Sequence, residues 1–134
     1  MKYFLSQPMT GFSENDIRES RKCIQKLIYK LHPDWECIDS LIFENAPNYI
    51  HGDDNIGVYF LGKSIMLLAE ADVMVIPDNA HYNSRGCSVE FMIANLYKIP
   101  IYILNTISGD LKLYNIEEDF VDMIEVKSNK EENE

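Results

Sequence analysis

The stretch between residues 71 and 94 constrains the fold of this chain more than any other. It holds an apolar strand at residues 73–76, which Pro77 and Asp78 end, then a polar turn, and then a helix that begins near Ser84. A strand that is apolar throughout is typical of a parallel sheet covered by helices on both faces. In open sheets of this kind, ligands bind at the carboxyl ends of the strands. The stretch therefore predicts an α/β fold and places a candidate site in its polar turn.

The rest of the chain alternates between strand and helix patterns in the same way. Predicted strands cover residues 3–6, 35–39, 72–77 and 99–105, with 111–114 as a strand or a bend and 123–126 as a last edge strand. Predicted helices cover residues 13–32, 58–70 and 84–97, with a short one at 117–123. This alternation predicts a four- to five-stranded parallel sheet in a three-layer sandwich of the flavodoxin-like or Rossmann-like kind. We expect one domain over residues 1–127 and a disordered acidic tail at 128–134.

The helical patterns also predict which side chains are buried. In the first helix, Ser13 is expected to cap the start, and Arg21 to lie away from the apolar face. Residues 40–57 show no periodicity and are predicted to form a long loop. The methionine and aromatic side chains of the later elements are predicted to belong to the core: Met66, Met74, Phe91, Met92 and Tyr97.

Composition excludes several classes of function. The net charge is −10, and no stripe of Lys and Arg is present, so a nucleic-acid partner is not expected. The three cysteines are widely spaced without a CxxC pair, which indicates free thiols rather than a disulfide or zinc site. Neither a signal peptide nor a membrane-spanning run is found, so we expect a soluble, cytoplasmic protein without a membrane partner. The phosphate-binding motifs GxGxxG and GxxxxGK[ST] are missing, and neither a metal nor an organic cofactor is expected.

Glu90 stands out within the organising stretch. It is the single charged residue among Val89, Phe91 and their apolar neighbours, and it lies early in its predicted helix. A carboxylate there can stabilise the positive end of the helix dipole. It can equally be a reactive group that faces the ligand crevice. The residues alone leave both interpretations open.

Three segments together carry a resemblance to a known family. They are YFLSQPMTG, LGKSIMLLAEADVMV and SRGCSVEFMIANLYKIPIYIL, in this order along residues 3–104, with the 40–57 loop poorly matched. The chain resembles the nucleoside 2-deoxyribosyltransferase-like superfamily, most closely its small bacterial and phage members. Characterised members are transferases and 2′-deoxynucleoside 5′-phosphate N-hydrolases, which cleave the bond between C1′ and the base through a covalent sugar–enzyme ester.

The resemblance implies roles for particular residues. Glu90 matches the nucleophile, and Tyr3 matches a tyrosine that orients it. Ser64 stands where the enzymes carry an aspartate that protonates the leaving base, and a hydroxyl is too weak an acid for that role. Ser84 matches a serine that binds a 5′-phosphate in the hydrolases, and so favours a nucleotide substrate. Substrate-binding positions implied or suggested by the pattern are Ser6, Gln7, Pro8, Met9, Thr10, Gly11, Asp78, Ser84, Arg85 and Gly86.

Two functions therefore remain open. The first is an enzyme that cleaves or transfers the N-glycosidic bond of a (deoxy)nucleotide or (deoxy)nucleoside through Glu90. The second is a protein that binds a nucleotide-derived ligand without turning it over, for which Ser64 is the motivating residue. The resemblance also implies a homodimer or a larger homo-oligomer, with the apolar helix at residues 59–68 as a candidate interface. Asp72 is expected to orient a neighbouring backbone, and His81 and Tyr82 to be exposed unless they stack on a base.

Overall fold

The structure, a computed structural model, describes residues 1–115. Its elements are β1 (Lys2–Leu5), α1 (Glu14–Leu31), β2 (Glu36–Cys37), α2 (Asp53–Leu68), β3 (Val73–Pro77), α3 (Ala80–Asn83), α4 (Arg85–Leu96), β4 (Ile101–Leu104) and β5 (Leu111–Leu113). The strands form one five-stranded sheet in the order β2-β1-β3-β4-β5. The predictions for residues 117–126 and for the tail at 128–134 lie outside the described residues.

The sheet is mostly parallel. The pairs β1–β2, β1–β3 and β3–β4 are parallel, whereas β5 runs antiparallel to β4. The predicted α/β class is therefore confirmed, but the prediction of a wholly parallel sheet is wrong at β5. The reason is the length of the connection, because only residues 105–110 join the two strands, and a parallel pair needs a crossover of about a dozen residues or more. Gly109, with φ of 79°, helps the chain to reverse there.

Alternating residues of the strands belong to two separate apolar clusters, one on each face of the sheet. One cluster joins Phe4 and Met74 to residues of α2 and α4, including Leu68 and Ala94. The other joins the strand residues of opposite parity, such as Leu5, to the face of α1 that carries Ile24 and Ile28. Since successive side chains of a strand point to opposite faces, the parity of a residue decides which helix it meets.

Helix α1 forms where its pattern predicts it. The Ser13 hydroxyl accepts a hydrogen bond from the backbone N–H of Asp16 at 3.1 Å, which is the expected cap, and His32 follows the last turn. Arg21, however, is only 5% exposed, so its predicted position away from the apolar face is wrong. The side chain lies with the buried residues of the helix because its guanidinium group finds hydrogen-bond acceptors beyond β2.

Helix α2 begins five residues earlier than predicted, at Asp53. Gly52 precedes it with φ of 90°, and acidic Asp53 and Asp54 occupy its first turn, where they favour the positive end of the helix dipole. The loop is correspondingly shorter than the predicted 40–57. Of the predicted core residues, Met74 is fully buried and Phe91 is partly buried. Met66 and Met92 on outward helix faces, and Tyr97 directly after α4, are 74%, 55% and 78% exposed. The prediction of a core position is wrong for those three.

Asp72 acts on the backbone, as predicted. Its carboxylate accepts a hydrogen bond from the backbone N–H of Lys2 at 2.7 Å, just before β3 pairs with β1. No helix among residues 1–115 is long and apolar enough to cross a membrane.

Candidate functional site

Glu90 lies on the second turn of α4, in the interior of the protein. Ser84 caps this helix, because its hydroxyl accepts a hydrogen bond from the backbone N–H of Cys87 at 3.3 Å. Glu90 is 6% exposed, and its Oε1 accepts a hydrogen bond from the Ser6 hydroxyl at 2.9 Å. Ser6 follows β1, so this buried bond joins the carboxyl end of one strand to the helix that follows the next strand in the sheet.

Burial sets the charge of Glu90. It raises the pKa of this carboxyl from 4.5 to about 7, and the hydrogen bond from Ser6 opposes the shift. Near neutral pH the group is therefore divided between its acid and its carboxylate form. Perturbed carboxyl groups of this kind are concentrated at functional sites, although structural roles also produce them.

Cys87 belongs to the same cluster, which the sequence did not indicate. Its thiol is buried, next to the Ser6 and Ser84 hydroxyls. Burial raises the pKa of the thiol, those two hydroxyls lower it, and the nearby charge of Glu90 raises it further. The thiol therefore stays neutral, and it packs beside the carboxyl group as a small, polarisable side chain. Its position one turn before Glu90 on the same helix was the available signal.

Tyr3 lies on the other face of the sheet from Glu90. It is buried in the α1 cluster, with its ring 6.2 Å from that of Trp35, and its cross-strand partner is Cys37. The alternation of β1 explains this, since Tyr3 and Ser6 differ in parity and so face opposite sides. The Tyr3 hydroxyl therefore does not contact Glu90, although it was expected to orient it. The Ser6 hydroxyl holds the carboxyl group instead.

Ser64 is partly buried on α2, one turn before the buried Leu68. Within residues 1–115 no hydrogen bond from its hydroxyl to Glu90 is formed. The position carries no acidic group, so it lacks the proton donor that the resemblance implies for a leaving base.

A groove of about 940 Å³ opens on the α1 side of the sheet at the carboxyl ends of β1 and β3. Six of the implied binding residues line it: Gln7, Pro8, Thr10, Asp78, Ser84 and Arg85. Met9, Gly11 and Gly86 are not in its wall, and neither are Ser6 and Glu90. Gly11 has φ of 88° and serves the turn before α1, whereas Gly86 is the second residue of α4.

Gln7 is the most buried polar side chain of the groove wall. It is 7% exposed, and its Nε2 donates a hydrogen bond to the Ile17 carbonyl at 3.0 Å. Its Oε1 is buried and has no hydrogen-bond partner within the described part of the chain. A buried acceptor without a partner is unusual, and a ligand N–H or O–H that reached it would satisfy it.

Asp78 serves the backbone as well as lining the groove. It adopts φ of 53°, and its two carboxylate oxygens accept hydrogen bonds from the backbone N–H and the hydroxyl of Thr106, at 3.0 Å and 2.8 Å. Both oxygens are thus already engaged by the turn that follows β4. Arg85 is far more open, since its exposed side chain pairs only loosely with Asp54 at 3.4 Å and can turn towards a ligand.

The predicted polar turn contains the short helix α3. His81, expected to be exposed, is 8% exposed and stacks on Phe91, with ring centroids 4.3 Å apart. Tyr82 is 74% exposed and is the available aromatic surface of this turn. Among residues 1–115, no three His, Cys, Asp or Glu side chains are grouped as metal ligands would be.

Comparison with known proteins does not add a family to this geometry. No protein-family model, curated protein or solved structure matches the chain. The function must therefore be argued from the site itself.

Proposed function

We propose that this protein cleaves or transfers the N-glycosidic bond of a (deoxy)nucleotide or (deoxy)nucleoside, with Glu90 as the nucleophile. In this reaction a carboxylate oxygen of Glu90 bonds to C1′ while the bond from C1′ to the base breaks, and the base departs with its electron pair. Water or a second base then attacks C1′ and releases Glu90. The observation that carries the proposal is the buried Glu90 carboxyl group, fixed by Ser6 next to the carboxyl edge of the sheet.

The environment of Glu90 suits a nucleophile of this kind. The Ser6 hydroxyl engages Oε1, so Oε2 is the oxygen left for C1′. As the bond to the base breaks, positive charge develops on the sugar, and a carboxylate in a site of low polarity stabilises that charge strongly. A pKa of about 7 means that much of Glu90 is ionised at neutral pH, so that the attacking form is present.

The groove supports a nucleotide as the ligand. Ser84 accepts a hydrogen bond from the helix backbone, and its side chain lines the groove. Arg85 adds positive charge beside it at the start of the twelve-residue helix α4, whose N-terminus favours anions. We therefore assign the 5′-phosphate to Ser84 and Arg85, and a donor of the sugar or base to Gln7 Oε1.

A binding protein without turnover is the second candidate, and Ser64 favours it. The enzymes that the chain resembles use a carboxylic acid at this position, and the hydroxyl present here does not protonate a leaving base. Glu90 also lies outside the wall of the groove. In this case the groove would hold an intact nucleotide-derived ligand, and Glu90 would contribute polarity rather than a covalent bond.

Three further proposals concern the whole protein. We take the architecture to be a three-layer, flavodoxin-like or Rossmann-like sandwich, and the protein to be cytoplasmic. We also propose a homodimer or larger homo-oligomer that uses α2, where Val58 and Met66 are 68% and 74% exposed. Apolar side chains on an outward helix face are typical of contacts between subunits.

The test is incubation with a panel of deoxynucleoside monophosphates and deoxynucleosides, with and without a second free base, followed by chromatography. Wild-type protein is compared with Glu90→Ala and with Glu19→Gln, which removes an exposed carboxylate on α1. Free base or an exchanged nucleotide from wild type and Glu19→Gln, but not from Glu90→Ala, is the expected result. Equal turnover by Glu90→Ala would refute the nucleophile, and stoichiometric binding of intact ligand by wild type would establish the binding protein instead.

A further inference from the structure

The groove assigned to the nucleotide extends well beyond the start of α4. Its volume is about 940 Å³, close to the upper end of the range of about 300–1,000 Å³ for pockets that hold one small molecule. From Ser84 and Arg85 it continues along α1, where Ile17, Ile24 and Leu27 line it. The first and the last of these helix residues are about 15 Å apart along the helix axis. A single nucleotide whose phosphate lies at Ser84 and Arg85 therefore leaves space along α1.

The part of the groove along α1 is apolar. Ile17 and Ile24 are buried beside it, and Leu27 is partly buried. Phe12 also lines the groove and is 59% exposed, so its ring offers an aromatic surface to a ligand. Because covering apolar surface is favourable, this part of the groove favours an aromatic or apolar group over a charged one.

The charges of the groove wall favour a ligand with a single negative charge. Among the described residues that line the groove, Arg85 is the one Lys or Arg, whereas Asp16 and Asp78 are acidic. Arg85 is also shared with Asp54 at 3.4 Å. The N-terminus of α4 adds about half a positive charge. A phosphate monoester carries nearly two negative charges at neutral pH, because its second pKa is about 6, whereas a diester carries only one.

Gln7 is a separate indication that the groove holds a ligand with hydrogen-bond donors. It lines the groove and is 7% exposed, and its Oε1 has no hydrogen-bond partner in the part of the chain that the structure describes. A buried acceptor of this kind needs an N–H or O–H group. An ionised phosphate has no such group, but the base and the sugar of a nucleoside do. We therefore place the nucleoside at Gln7, between the phosphate and the floor of the groove.

We propose that the ligand of this groove is a nucleotide phosphodiester whose second ester group is aromatic or apolar and lies along α1, against Phe12, Ile24 and Leu27. This assignment rests on the proposed function for the nucleoside part of the ligand. Glu90 would still act at C1′, so the base would leave and the phosphodiester would stay intact on the sugar.

Three esters of each deoxynucleoside 5′-phosphate separate the effect of charge from that of apolar contact. They are the free monoester, its methyl diester and its phenyl diester. Dissociation constants are measured by isothermal titration calorimetry with Glu90→Gln, which lacks the carboxylate nucleophile and so leaves each ligand intact. Wild-type protein is measured in parallel with any ester that it does not cleave.

The phenyl diester should bind at least about tenfold more tightly than the methyl diester, because burial of its ring removes apolar surface from water. At about pH 8 the methyl diester should in turn bind more tightly than the monoester, which then carries two charges. At about pH 5 the monoester carries one charge, and its affinity should approach that of the methyl diester.

Cys23 reports where the phenyl group lies. Its thiol is exposed and belongs to the groove wall, whereas Cys37 lies outside that wall and serves as the internal reference. Saturating phenyl diester should slow the alkylation of Cys23 by N-ethylmaleimide at least about fivefold relative to Cys37. The methyl diester should protect Cys23 much less. Equal protection by the two diesters would overturn the placement along α1.

Two substitutions of exposed aromatic residues test the contact with Phe12. Phe12→Ala should bring the affinities for the phenyl and methyl diesters closer together, because it removes the ring on which the phenyl group packs. Tyr29→Ala is the matched control, since Tyr29 is 66% exposed on α1 and outside the described groove wall. It should leave the ratio of the two affinities unchanged. An unchanged ratio in Phe12→Ala would contradict the contact.

The results separate this proposal from the proposed reaction. A monoester that binds as tightly as the phenyl diester would overturn the ligand assignment, and so would equal binding of the two diesters or no binding of any ester. None of these results decides whether Glu90 is a nucleophile, because release of free base by wild type and not by Glu90→Ala tests that. Preferential binding of the phenyl diester without release of base would refute the reaction and support the ligand assignment.

Discussion

Replacing Glu90 by Gln should stabilise the fold, and should do so only above a certain pH. The substitution keeps the shape of the side chain and an oxygen that can accept the 2.9 Å hydrogen bond from Ser6. It removes the ability to ionise. The structure places this ionisable group where it is 6% exposed and where burial raises its pKa to about 7. A buried group of this kind destabilises the folded state when it ionises.

The magnitude follows from linkage between ionisation and folding. Unfolding returns the pKa of Glu90 from about 7 to 4.5, and each unit corresponds to about 1.4 kcal/mol. Below pH 4.5 the carboxyl group is protonated in both states, so its ionisation costs the folded state nothing. Between pH 4.5 and 7 the unfolded state loses this proton while the folded state keeps it, so up to about 3 kcal/mol of the free energy of unfolding is lost, and the loss levels off above pH 7. The difference in stability between Glu90→Gln and wild type should therefore grow by about 3 kcal/mol from pH 4.5 to pH 8.

Urea denaturation of both proteins at a series of pH values from 4.5 to 8 measures this difference. All other titrating groups are shared by the two chains, so their effects cancel in the comparison. Glu19→Gln is the matched control, because it removes an exposed carboxylate of α1 and should change stability by less than about 0.5 kcal/mol at every pH. A constant difference between Glu90→Gln and wild type over this range would show that Glu90 is not a buried group of raised pKa. A difference that grows towards low pH would reverse the sign of the argument.

Three further outcomes follow from the same contacts. Ser6→Ala removes the hydrogen bond that lowers the pKa of Glu90, so the rise of kcat/KM with pH should move to higher pH; an unmoved profile would deny that contact in solution. Asp78→Ala breaks two hydrogen bonds to Thr106 and should cost about 1–2 kcal/mol in thermal unfolding, whereas Asp78→Asn, which tolerates the positive φ, should cost less. Since Ser64 supplies no acid, turnover should be faster for a nucleotide whose base leaves without a proton, such as an N7-methylated purine, and equal rates on methylated and unmethylated substrates would reveal another acid.

The sequence predicted the sheet well because a buried strand can be identified by its run of apolar residues. The strand at 73–76 is apolar at every position, and β3 is buried along its whole length at the centre of the sheet. The direction of β5 could not be predicted in this way. It depends on the six-residue connection at 105–110, which permits a hairpin but not a crossover.

Burial of individual helix residues was predicted less well. Met66 and Met92 are apolar but lie on the outward faces of their helices, and hydrophobicity does not distinguish an apolar core face from an apolar surface. The prediction for Arg21 was wrong in the opposite direction. A charged side chain is expected to be exposed, unless hydrogen-bond acceptors in the interior satisfy it. Those acceptors, the Ile38 carbonyl and the Ser40 hydroxyl, follow β2 in the chain and meet α1 only in the folded state.

Within the candidate site, the pattern located Glu90 but not the residue that holds it. The sequence pattern alone is enough to identify an isolated carboxylate on an apolar helix. Its partner is 84 residues away along the chain, and the choice between Tyr3 and Ser6 depends on which face of β1 meets α4. Residues of opposite parity in one strand cannot both reach the same helix face. The alternation of β1 thus favours Ser6, once the position of α4 is known.

The contrast between Glu90 and Ser64 defines the functional question that the fold poses. Glycoside cleavage usually divides its work between two carboxyl groups of different pKa, one that attacks and one that donates a proton. Here α4 supplies a buried carboxyl group of raised pKa, whereas α2 carries the partly buried Ser64 where the resemblance implies an acid. Covalent attack without proton donation is chemically sufficient only when the leaving base needs little help. Under the proposed function, the choice between enzyme and binding protein therefore depends on the ligand: Glu90 would react with a labile nucleotide and would leave a stable one intact.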